Sequence, residues 1–224
     1  RHPDGEIYYE LVGTGVPILF LLPQSVGPNG TKALVNSLSK KFSVILFDQL
    51  GTGRSVANSD KYDPSISDRM TEVNCLLDHL DIEASHLFCH STGCGLGISW
   101  ASSRPTRVKT LTLVNPWNYA DEQLTTLQRL RIDAAKQLSP YFYTHFNSTI
   151  LFPAYYKAEY TEAFEAQAIA AKRFPHNALQ IERRLNSILN FDARTLTHKV
   201  ASPCLVITSK DDILMPPWHA DNLT

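Results

Sequence analysis

The stretch Leu87-Phe88-Cys89-His90-Ser91-Thr92-Gly93-Cys94-Gly95-Leu96-Gly97 constrains the fold more than any other part of the chain. An apolar run suited to a buried strand ends at His90, and a glycine-rich helix start follows without a spacer. Ser91 is therefore expected on a sharp strand-to-helix turn, with its hydroxyl pushed out at the carboxyl edge of a sheet. The same residues also suit an ordinary turn in which the serine caps the helix, because serine is a favoured N-cap. A dinucleotide-binding turn is the weaker alternative. Gly93 and Gly95 are present, but the third glycine of G-x-G-x-x-G is replaced by Ile98, and the stretch is not in the first strand–helix unit.

The segments before and after this stretch repeat one rhythm. Residues 7–12, 17–22, 43–47, 85–90 and 109–115 read as strands, the middle ones continuously apolar as in a sheet covered on both faces. Residues 31–40, 67–80 and 93–103 read as helices, the second with Met70, Val73, Leu76, Leu77 and Leu80 on one face. Strand and helix in alternation give a parallel sheet with right-handed crossovers. From residue 117 to 199 the rhythm gives way to helical patterns over 121–137, 159–174 and 177–189, separated by Pro140, Pro153 and Pro175. The strand pattern returns at 203–208. The expected organisation is thus an α/β core over 1–116, a helical lid insertion over 117–199, and a return to the core over 200–224.

Composition narrows the function classes. A net charge of −1, with 43% apolar and 19% charged residues, describes a globular protein with no polyanion-binding signature, so neither a nucleic-acid nor a membrane partner is expected. No apolar run reaches the roughly 20 residues of a membrane span. Cys75, Cys89, Cys94 and Cys204 form no C-x-x-C pair and no zinc-type spacing. They are expected as free thiols, Cys89 and Cys204 in buried strands, in a reducing, cytoplasmic setting. Asn29, Asn147 and Asn222 begin glycosylation sequons that matter only in a secreted protein.

Four ordered segments carry a family resemblance. Cys89-His90-Ser91-Thr92-Gly93 resembles the nucleophile elbow of the α/β-hydrolases, G-x-S-x-G, with Cys89 at the first glycine. Asp48-Gln49-Leu50-Gly51-Thr52-Gly53-Arg54-Ser55 resembles the D-x-R-G-x-G-x-S turn of that family, with Leu50 at the arginine position. Pro23-Gln24-Ser25-Val26-Gly27 occupies the place of the loop that usually opens with His-Gly. Ser209-Lys210-Asp211-Asp212-Ile213-Leu214-Met215-Pro216 resembles the turn in which the acid stands four residues before a proline.

The resemblance implies an α/β-hydrolase fold, a mostly parallel sheet with helices on both faces. It implies Ser91 as nucleophile and the backbone N–H groups of Ser25 and Thr92 as an oxyanion hole. Asp212, with Asp211 as competitor, would be the acid that orients a histidine base, and no metal or organic cofactor would be needed.

Leu113-Val114-Asn115-Pro116-Trp117, Phe152-Pro153-Ala154 and Arg183-Arg184-Leu185-Asn186-Ser187-Ile188 are similar to segments of aminoacrylate hydrolases and enol-lactone hydrolases. They imply a small substrate with an ester, lactone, carbamate or related acyl bond.

The base is the gap. The triad order is Ser, acid, His, and His219 follows Asp212 too closely, where the next helix should start. His90 adjoins Ser91, and neighbours on a strand point to opposite faces. The chain also opens without Met, at Arg1-His2-Pro3. It is therefore expected to be a fragment whose catalytic histidine lies past residue 224, or else a non-catalytic binding or receptor relative. Trp117, Tyr119, Tyr141, Phe142, Tyr143, Phe152, Tyr155 and Tyr156 are candidates to line a pocket over Ser91, with lid-to-core packing as the alternative for each. Arg183 and Arg184 could meet a substrate carboxylate or lie solvated on their helix.

Overall fold

The computed structural model describes residues 2–23, 31–59 and 62–223. Six strands form one sheet in the order β2 (Tyr9–Val12), β4 (Phe42–Phe47), β3 (Val16–Leu21), β6 (Ser85–His90), β7 (Val108–Val114), β8 (Cys204–Ile207). All neighbours run parallel except β2 against β4. The short β1 (Gly5–Glu6) and β5 (Val56–Ala57) pair separately.

Period-two alternation explains the two cores. Ile18 and Phe20 of β3, Val44 and Leu46 of β4, and Phe88 of β6 point to one face, where Val35 of α1 (Lys32–Leu38) covers them. Leu19, Leu21, Ile45, Leu87 and Cys89 point to the other face, beneath α2 (Met70–His79) and α3 (Thr92–Ser103). The chain passes from β3 to β4 on one side and then returns to place β6 on the other side of β3. The carboxyl ends of β3 and β6 are therefore a topological switch point, where open α/β sheets bind their ligands.

Between β7 and β8 the chain forms α4 (Glu122–Gln137), α5 (Pro140–Leu151), α6 (Ala154–Glu159), α7 (Thr161–Ala171) and α8 (Ala178–Leu189). Asp121, Ser139 and Asn177 cap α4, α5 and α8 through their side chains. Leu124 and Ile132 of α4 and Ile181, Leu185 and Ile188 of α8 join the same apolar cluster as α3, so the insertion is packed onto the core. The final helix, α9, spans Trp218–Asp221.

Leu50, at the arginine position of the Asp48–Ser55 turn, is buried, and its N–H donates to Glu72 Oε2 at 2.9 Å. Glu72 is buried completely and also pairs with Arg69 at 2.9 Å. In the same turn Asp48 Oδ2 accepts from the Arg54 backbone N–H and from its Nε. Three expectations need correction. Pro140 does separate two helices, but it also opens an unexpected one, standing at the first position of α5 behind the Ser139 cap. The 159–174 helix is shorter, Thr161–Ala171, and is preceded by the separate α6. Cys204 is exposed, because β8 is the edge strand of the described sheet.

Candidate active site

The carboxyl ends of β6, β7 and β8 build the site. Ser91 directly follows β6, its N–H donating to Val114 O on β7 at 2.9 Å. Its backbone sits at φ 52°, ψ −120°, a region that costs a non-glycine residue about 1–3 kcal/mol. Its side chain makes no capping bond to α3, so the hydroxyl is not used as a helix cap. Thr92 is the first residue of α3, and its N–H has no intrahelical partner.

Gly93 lets α3 start this close to the sheet. A Cβ there would lie 1.9 Å from the carbonyl oxygen of Leu21, a backbone atom fixed in the central strand. Gly93→Ala is therefore expected to cost roughly 2–3 kcal/mol and to shift the turn at Ser91, as urea denaturation of the variant would measure.

Asp212 follows β8. Its Oδ1 accepts from the N–H groups of Leu214 at 2.9 Å and Met215 at 2.8 Å, and its Oδ2 from Asn115 Nδ2 at 2.8 Å. Asn115 directly follows β7 at φ 48°, and its Oδ1 accepts from the N–H of Ser209 at 2.9 Å. Only three described non-glycine residues have positive φ, and two of them, Ser91 and Asn115, line one cavity. Sequence reasoning missed this role of Asn115, although its place directly after an apolar strand was a usable signal.

That cavity has a volume of about 430 Å³ and brings together Ser91, Thr92, Asn115 and Asp212 beneath Leu151, Phe152, Leu185 and Ile188 of the insertion. Asp211 is exposed and faces a neighbouring cleft with Tyr155 and Tyr156. Ser25 lies outside the described residues.

His90 lines the cavity, against the expectation from strand alternation, because the turn at Ser91 leaves the strand. Burial holds its imidazole below the usual range, with the Asp212 charge pulling the other way. His219 is buried beside Asp121 at 3.4 Å and does not line the cavity. No histidine donates to or accepts from Ser91 or Asp212 among the described residues.

Of the eight aromatic candidates, only Phe152 reaches this cavity. Trp117 packs on Phe191 in the core, Tyr143 lies against His176, and Phe142 and Tyr155 face solvent. Burial raises the Cys89 and Cys94 thiols, and all four cysteines are free. No cluster of three metal-ligating side chains, and no helix long and apolar enough to cross a membrane, occurs among the described residues.

A parallel sheet switched at β3 and β6, with a strained serine at the head of the following helix, defines an α/β-hydrolase architecture. The chain belongs to that family: the model of the alpha/beta hydrolase fold matches residues 22–224. It is 31% identical over 218 residues to the Azorhizobium caulinodans protein named "Putative carbamate hydrolase RutD", covering 96% of this chain and 80% of that one. It is 27% identical to the protein of the same name from Serratia proteamaculans, covering 96% and 82%. Among solved structures, MGS-M2, an alpha/beta hydrolase from a Medee basin deep-sea metagenome library, superposes with a TM-score of 0.89 at 19% identity, covering 98% of this chain and 82% of that one. The enol-lactonase from Burkholderia xenovorans LB400 superposes with 0.85 at 19% identity, covering 99% and 85%.

Proposed function

We propose that the protein hydrolyses a small ester, lactone, carbamate or related acyl bond through Ser91. One observation carries the reading. Ser91, whose hydroxyl caps no helix and whose backbone is strained, lines the same cavity as a carboxylate locked by three donors. Ser91 Oγ attacks the acyl carbon and loses its proton to an imidazole aligned on Asp212. The N–H groups of Thr92 and Ser25 receive the oxyanion, each worth on the order of 10²–10³ in rate. The imidazolium then protonates the leaving group, and water attacks the acyl-serine by the same route in reverse. We place the imidazole outside these 224 residues, since none of the described histidines bonds to Ser91 or Asp212. Residues 117–199 serve as the lid. The names of the relatives, a carbamate hydrolase and an enol-lactonase, support this substrate class. Free thiols at Cys75, Cys89, Cys94 and Cys204 support a reducing, cytoplasmic setting.

A fluorophosphonate probe on the full-length protein is expected to label Ser91 and to leave Ser91→Ala unlabelled. Absence of labelling, or equal labelling of both, overturns the hydrolase reading and favours a binding protein on this scaffold.

A further inference from the structure

The buried face of α4 carries an unexpected pair. Leu124, Ile132 and Ala135 are apolar, but Gln128 and Arg131 share that face one turn apart and are 0% and 5% exposed. Both line the Ser91 cavity. Arg131 is held in place by neutral acceptors, Gln128 Oε1 at 2.9 Å and Asn147 Oδ1 at 3.0 Å. No carboxylate lies within ion-pair distance of it among the described residues. Arg184, from α8, lines the same cavity. The guanidinium of Arg131 is pushed down to about 10, first by burial and then by the charge of Arg184. Gln128 Nε2 is buried and has no hydrogen-bond partner among the described residues. The one acidic side chain that lines the cavity among the described residues, Asp212, is already engaged by three donors.

Arg131, a buried cation held only by neutral acceptors, and the orphaned amide donor of Gln128 beside it are arranged for an anion that is not part of the chain. Buried charge is costly without a partner. A guanidinium fork matches a planar carboxylate, which accepts two parallel N–H bonds. The cavity volume suits a compact molecule that reaches from Ser91 to Arg131. We propose that Gln128, Arg131 and Arg184 form a carboxylate subsite, so that the substrate is an acyl compound bearing a free carboxylate. The proposal deepens the hydrolase reading, and it names the substrate class on that footing.

Binding tests the subsite without turnover. Succinate and its uncharged analogue succinamide are titrated calorimetrically into full-length Ser91→Ala protein. Succinate is expected to bind at least tenfold more tightly, with affinity falling as salt rises, and Arg131→Gln is expected to erase the preference. Where Arg131→Gln does not fold, Arg131→Lys keeps the charge without the fork and is expected to lose about tenfold. Equal affinities, no succinate binding at millimolar concentration, or a preference left undiminished by either substitution overturns the proposal.

The kcat/KM ratio of p-nitrophenyl hemisuccinate to p-nitrophenyl butyrate separates the two readings. A protein that hydrolyses both esters without charge preference keeps the hydrolase and loses the subsite. One that selects succinate but neither turns over nor labels keeps the subsite and loses the hydrolase.

Discussion

Ser91→Ala is expected to lower kcat on any accepted ester by on the order of 10⁵–10⁶-fold, with the fold intact by circular dichroism. The effect is this large because, in the proposed mechanism, base, acid and oxyanion donors act through the one oxygen that the substitution removes. Ser91→Gly is expected to be equally inactive but more stable than Ser91→Ala by about 1 kcal/mol, since glycine adopts φ 52° without a Cβ penalty. Thermal unfolding of the two variants separates what the position costs the fold from what it gives the chemistry. If Ser91→Ala retains a tenth of the parent activity, the nucleophile lies elsewhere.

Asp212→Asn carries the second large effect, a fall in kcat of about 10⁴ with a much smaller change in KM. An amide cannot hold an imidazole in the tautomer that accepts the serine proton. It also cannot satisfy its surroundings. The carboxylate accepts from the N–H groups of Leu214 and Met215 on one oxygen and from Asn115 on the other. Either orientation of an asparagine would set its NH₂ against one of these donors, at a cost of about 1–3 kcal/mol. Asp211→Asn, at the exposed neighbour, is expected to stay within twofold of the parent in kcat. Equal losses from the two substitutions would remove Asp212 from the mechanism.

Much of this architecture was legible because it depends on local periodicity. The strand at Ser85–His90 and the helix starting at Thr92 follow from an apolar run that breaks into glycines, and Gly93 is needed because α3 starts against the Leu21 carbonyl. The insertion was harder to read. Pro140 and Pro153 do stand between helices, but α5 starting at Pro140 behind the Ser139 cap and α6 starting directly after Pro153 went unread. The exposure of Cys204 depends on which strand lies at the edge, a long-range fact that a β-type run cannot encode. Aromatic residues pack equally well into a core or a pocket, so Trp117 and Phe152 looked alike in sequence yet lie in different places. Leu124, Gln128, Arg131 and Ala135 carried an unread signal. Polar residues at helical spacing on an otherwise apolar face had to be either mis-buried or functional.

The role of Ser91 is tested most directly by trapping the acyl-enzyme. The full-length protein is treated with p-nitrophenyl dimethylcarbamate, whose acyl group leaves serine slowly, and the product is mapped by peptide mass spectrometry. The expected result is one carbamoyl group per chain, on Ser91, formed with an equal amount of p-nitrophenolate and absent from Ser91→Ala. Modification of a cysteine instead, or the same modification in Ser91→Ala, would contradict it.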